Sequence, residues 1–134
     1  MRWQIVLAAG LWLGASAALG IVATGQQSAS EQPGDAARGK LVFERRCTGC
    51  HALDADREGP QLRTVYGRKA GSVAGFQYSE ALLHLGLTWS PETLDQWLTD
   101  PDAMVPGNNM SFATPKVTDR RDLIAFLQQA AGSK

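Results

Sequence analysis

An all-α fold of four to five helices joined by long loops is what this 134-residue chain predicts. Helix start signals recur ahead of apolar residues spaced three and four apart. No stretch alternates with the period of two that a half-buried strand needs, and no internal repeat is present. The stretches Asp54 to Gly75 and Asp100 to Thr118 are filled with glycine, proline and polar residues, long for so small a domain unless they wrap something.

The elements follow in order. In residues 1–25, Arg2 precedes an uncharged apolar and small-residue run, and the next charge is Glu31. That pattern is an export signal. Ala15-Ser16-Ala17 and Ala23-Thr24-Gly25 both resemble cleavage sites, while an apolar run of about 20 residues also suffices to span a bilayer. The segment is therefore expected to be a signal peptide or an N-terminal membrane anchor, followed by a polar linker over residues 26–33. The domain proper is expected over 34–134. Asp35 is placed to cap a first helix running to about Cys47, with Gly39, Phe43 and Cys47 on one face. Ser79 to Leu85 predicts a short second helix stopped by Gly86. Ser90-Pro91-Glu92 starts a third, carrying Leu94, Trp97 and Leu98 until Asp100-Pro101 ends it. The last is expected from Thr118 to about Ala130, with Leu123, Phe126, Leu127 and Ala130 as its apolar stripe.

Composition narrows the function. Thirteen basic and thirteen acidic residues cancel, so no basic surface argues for nucleic acid. About 110 residues beyond the first segment make one small domain with a thin core, to which a bound apolar group would add volume.

The residues that carry chemistry are Cys47-Thr48-Gly49-Cys50-His51. Cys-x-x-Cys-His is the attachment pattern for a c-type haem: each thiol adds to a vinyl group, and the adjacent imidazole can ligate the iron from below. A disulfide, a thioredoxin-like redox pair and a zinc half-site are the competing explanations. The redox pair wants a βαβ context the chain lacks, and zinc wants two more ligands where only His84 remains. A second axial ligand must come from Met104, Met110 or His84. Met110 lies in Pro106-Gly107-Asn108-Asn109-Met110, a turn able to present its sulfur. Met104, near a helix end, suits packing, and His84 falls on a short helix as an ordinary exposed or core histidine.

With these motifs go Gly34-Asp35, Gly39-Lys40, Phe43, Gly59-Pro60, Leu62, Gly67-Arg68-Lys69, Gly71, Gly75-Phe76, Tyr78-Ser79, Thr88-Trp89, Trp97-Leu98, Pro101, Pro106-Gly107, Met110, Phe112 and Asp122 to Leu127. In this order they resemble class I cytochrome c, of the mitochondrial type and the related bacterial soluble proteins, over nearly all of Gly34 to Ala130. The resemblance implies a cytochrome c fold around one haem c attached by two thioethers, with His51 and Met110 as the metal ligands. It implies further that the Pro60 carbonyl orients His51, and that Arg68, Tyr78 and Trp89 donate toward a buried propionate. Gly39 and Phe43 would meet Leu123 and Phe126 where the first and last helices cross.

The chain also departs from that family's pattern. The loop from His51 to Pro60 is shorter, Gln61 stands for Asn, Leu82 for an internal Asn, Trp97 for an internal Tyr and Asn108 for a Thr. Arg46, Lys69 and Lys116 keep positive charge near the expected haem edge, whereas Asp102, Ala103 and Asn109 occupy positions where the mitochondrial proteins have lysine. Arg57, Glu58 and Arg63 read as an ordinary solvated face.

The function implied is one-electron transfer, not enzymatic catalysis. Donors would be a quinol-oxidising complex or a dehydrogenase, and acceptors an oxidase or a peroxidase. The expected place is the periplasm, soluble or tethered to the inner membrane. A subunit held in a larger complex is the alternative, and a haem enzyme with an open distal position a more distant one.

Overall fold

Five helices supply the regular structure of the computed structural model, which describes residues 33–133. They are α1 (Ala36–Arg46), α2 (Glu80–Leu83), α3 (Pro91–Thr99), α4 (Pro101–Met104) and α5 (Val117–Gly132). Among the described residues no strand forms, and extended pairing is limited to an isolated antiparallel bridge between Lys69 and Thr88. The N-terminal apolar segment, and all of the linker except Pro33, lie outside the described residues.

Helix α1 starts where its sequence says it should. The Asp35 carboxylate accepts the Ala37 and Arg38 N–H groups at 2.9 and 3.1 Å, satisfying donors that the first turn leaves free. At the other end Arg45 and Arg46 sit in the last turn, where positive charge opposes the negative pole of the helix.

The crossing of α1 and α5 is the principal helix contact. It depends on Gly39, since a Cβ there would lie 1.9 Å from the Asp122 carbonyl oxygen. One turn on, the Phe43 and Phe126 rings pack with centroids 5.4 Å apart. Leu123 beside them is 1% exposed. The crossing is also locked electrostatically: the Asp122 side chain, 6% exposed, accepts the Asp35 N–H and Arg38 Nε, each at 2.8 Å. Burial acts to raise the Asp122 pKa, but these hydrogen bonds and the Arg38 charge win and hold it below its ordinary value.

Helix α3 starts at Ser90-Pro91 as expected, and a capping box secures it, with Ser90 and Thr93 bonding reciprocally and Pro91 in the first turn. It ends at Asp100-Pro101 as expected, but a further short helix follows. Asp100-Pro101 stops α3 but also starts α4, because a proline that cannot continue one helix suits the first position of the next. The Asp100 carboxylate caps the new turn by accepting the Ala103 N–H at 3.0 Å.

Helix α5 runs slightly longer at both ends than its apolar stripe indicated. From it Arg120, whose side chain is 7% exposed, donates to Asp95 on α3 at 2.7 Å and to the Thr114 and Pro115 carbonyls at 3.0 and 2.8 Å. The Thr114 N–H in turn donates to the Leu98 carbonyl at 2.7 Å. One buried guanidinium therefore fastens the loop after Met110 to two helices. The apolar side chains of α3 and α5, with the Trp89 ring tilted against Trp97 at 5.5 Å between centroids, surround a central space.

Candidate functional site

The Cys47 to His51 segment leaves α1 as a tight turn. Cys47 closes the helix by donating to the Phe43 carbonyl at 2.8 Å, and the His51 N–H returns to the Cys47 carbonyl at 2.8 Å. This folds the motif so that Cys47, Cys50 and His51 all border the same cavity. The two thiols are not joined to each other. Burial pushes the Cys47 thiol up to about 11, against the opposite pull of Arg46, so it stays protonated at neutral pH. A redox-active thiol pair needs the reverse shift.

His51 is oriented by its surroundings. Its Nδ1–H donates to the Pro60 carbonyl at 2.8 Å, which leaves Nε2 as the free ring nitrogen of a neutral imidazole. Burial, the largest influence, lowers the pKa of this ring; the Pro60 bond opposes it and the Arg68 charge reinforces it. Behind the ring lies Gly59, where a Cβ would fall 2.1 Å from His51 Cε1. The short loop to Pro60 is knitted together: Gly59 N–H donates to Cys50, Leu62 N–H to Ala52 and Arg63 N–H to Leu53.

Across the cavity, Met110 follows a turn in which Asn108 N–H donates to the Val105 carbonyl at 3.1 Å. Gly107, at φ +84°, supplies the left-handed conformation that the second corner of a Pro-Gly turn requires. The cavity has a volume of about 450 Å³ and a mostly apolar wall, including Leu62, Val65, Leu94, Leu98 and Leu127.

Cys47, Cys50, His51, Pro60, Arg68, Tyr78, Trp89 and Met110 are brought together, all lining this one space. Arg68 donates to the Gln61 carbonyl at 3.0 Å and to Thr64 Oγ1 at 3.2 Å, while its buried Nε has no acceptor. Burial draws its pKa downward, against the pull of Tyr78 and Asp56. Tyr78 accepts the Val73 N–H at 3.3 Å. Met104 packs against the core away from the cavity. His84 is solvent-exposed, its ring bonded to the Glu80 carbonyl at 2.9 Å.

Some contributors escaped the sequence reading. Arg57 is exposed, as expected of a surface charge, but it also donates to the Thr48 carbonyl between the two cysteines at 2.8 Å. Glu58 borders the cavity rather than facing solvent alone. Arg63 pairs with Asp54. Arg46 borders the cavity, as expected of a charge near its edge, but its place over the Phe112 ring, 5.2 Å from the centroid, was not foreseen. None of these has a local sequence signal, because each partner is fixed only by the fold.

A buried, unsatisfied guanidinium N–H at the rim, an apolar wall, two cysteines and an imidazole with one free nitrogen fit a flat apolar macrocycle that carries carboxylates and a metal. The fold and cavity define a small all-α haem protein. Residues 36–131 match the cytochrome c family. The chain is 42% identical over 102 residues to "Cytochrome c" of Cochliobolus lunatus, covering 73% of this chain and 94% of that protein. It is 42% identical over 100 residues to "Cytochrome c" of Arabidopsis thaliana, covering 72% and 89%. Among solved structures, cytochrome cH from Methylobacterium extorquens superposes with a TM-score of 0.69 at 41% identity, covering 72% of this chain and 99% of that one. This chain belongs to the cytochrome c family, whose members are electron carriers with one covalently attached c-type haem, and that haem is its cofactor.

Proposed function

We propose that Cys47 and Cys50 would form the two thioethers, that His51 Nε2 and the Met110 sulfur would hold the iron, and that the protein shuttles single electrons between complexes outside the cytoplasm. The bound group supplies the chemistry, an iron that alternates between ferrous and ferric states. The observation that carries this reading is the convergence of these four side chains on one apolar cavity.

The remaining residues prepare the site. The Pro60 carbonyl fixes which nitrogen of His51 is free and raises the basicity of the ring, as partners of a ligating histidine do. Arg68 Nε, with the Tyr78 and Trp89 side chains, would donate toward an ionised propionate, whose burial demands such bonds. The mostly apolar wall offers few dipoles that would have to reorient when the charge on the bound group changes.

Donors of the quinol-oxidising or dehydrogenase kind and acceptors of the oxidase or peroxidase kind match this role. Export to the periplasm, with residues 1–25 as a cleaved signal or an inner-membrane anchor before the linker 26–33 and the domain 34–134, supplies the compartment.

The ligand set is tested by the weak charge-transfer band that sulfur gives on ferric haem. Met110→Ala is expected to abolish it and Met104→Ala to leave it intact; the opposite result would overturn the assignment. The reduced protein should also fail to bind carbon monoxide at neutral pH, since rapid binding would indicate an open position suited to an enzyme.

A further inference from the structure

The stretch between the Val105 turn and Thr114 bears Met110 but contains no helix. Its far end is fastened by Arg120 and by the bond from Thr114 to Leu98. Its near end rests on Asn108, whose backbone N–H and both side-chain polar atoms are bonded. The Asn108 N–H donates to the Val105 carbonyl at 3.1 Å. Its Nδ2 donates to the same carbonyl and to Asp102 Oδ1, both at 3.0 Å. Its Oδ1 accepts the Met110 N–H at 2.6 Å.

The orientation of that amide is over-determined. Two acceptors face its nitrogen and one donor faces its oxygen, so a flip would break three bonds at once. Asp102 belongs to α4, which is itself capped by Asp100 at the end of α3. A chain of restraints thus runs from the cavity-lining helix α3, through a surface carboxylate, to the backbone of the sulfur-bearing residue.

We infer that Asn108 is a positioning residue for Met110: its side-chain carbonyl clamps the Met110 N–H, and its amide, anchored on Asp102, governs how firmly the sulfur is kept in the cavity. This rests on the reading of Met110 as a ligand. Without the clamp the segment from 109 to 113 is free to swing the sulfur aside, and an external ligand takes its place more easily.

The test is titration of the ferric holoprotein with imidazole, following loss of the sulfur charge-transfer band. Asn108→Ala removes all three side-chain bonds, the clamp on the Met110 N–H among them, and should bind imidazole about fivefold to tenfold more tightly. Asp102→Ala should move the affinity the same way by about twofold to threefold. Because Asp102 is exposed, that variant keeps the test available should Asn108→Ala fail to fold. Asp102→Asn keeps a side-chain oxygen that can accept from the Asn108 amide, leaves the Val105 and Met110 bonds untouched, and should hold affinity within about twofold of native. Unchanged imidazole affinity in Asn108→Ala and Asp102→Ala, even with a lowered melting point, would overturn the inference while the band's loss in Met110→Ala leaves the ligand reading standing. Survival of the band in Met110→Ala would bring down both.

Discussion

Gly59 illustrates how a single missing side chain can shape a site. The His51 ring occupies the volume where a Cβ at 59 would stand, 2.1 Å from Cε1, so the glycine serves as a backing plate for the imidazole. Gly59→Ala should force the ring off the Pro60 carbonyl and cost about 1–3 kcal/mol of stability by overpacking. Chemical denaturation of the holoprotein checks this, and an unchanged midpoint would show that the ring relaxes freely. At this scale the sequence was readable where chemistry is written locally. The Cys-x-x-Cys-His spacing and the Pro-Gly turn before Met110 announce themselves. Arg57 does not, because its bond to Thr48 exists only once the loop has folded back.

Between elements, the α1–α5 crossing should give the fold its response to acid. Asp122 titrates lower when folded, where Arg38 and the Asp35 N–H favour its charge, than in the unfolded chain, where its value is about 4. Unfolding therefore takes up a proton in acid. The stabilisation is complete above the unfolded value and drains away as the pH falls through the folded one. Asp122→Asn should lower stability at pH 7 by about 1–3 kcal/mol and flatten the loss below pH 4. Melting curves from acid to neutral pH measure it; parallel profiles for the two proteins would refute it. Helix starts were legible here because Asp35, Ser79 and Ser90 cap as their types dictate. Helix α4 was hidden because Asp100-Pro101 is a stop signal and a start signal at once.

In the molecule as a whole, site and core are the same place. Leu94, Leu98, Leu123 and Leu127 belong to the core and also line the central space of about 450 Å³. Left empty, such a space removes the contacts a small domain depends on. Cys47→Ser with Cys50→Ser, purified free of haem, should therefore lack a cooperative thermal transition by circular dichroism; a sharp transition would contradict this. The all-α class was legible from periodicity and caps alone, since each is local. How the loops meet around a centre was not, since those contacts join residues far apart in the chain, and the likeness to known cytochromes supplied it. Shared walls also constrain how this protein can change over generations. A substitution at Leu98 or Leu127 alters the electrical environment of the iron as it alters packing, so tolerance and tuning are inherited together. Novelty that leaves the iron undisturbed has to arise on the outer shell, among exposed residues such as Leu41 and Val117.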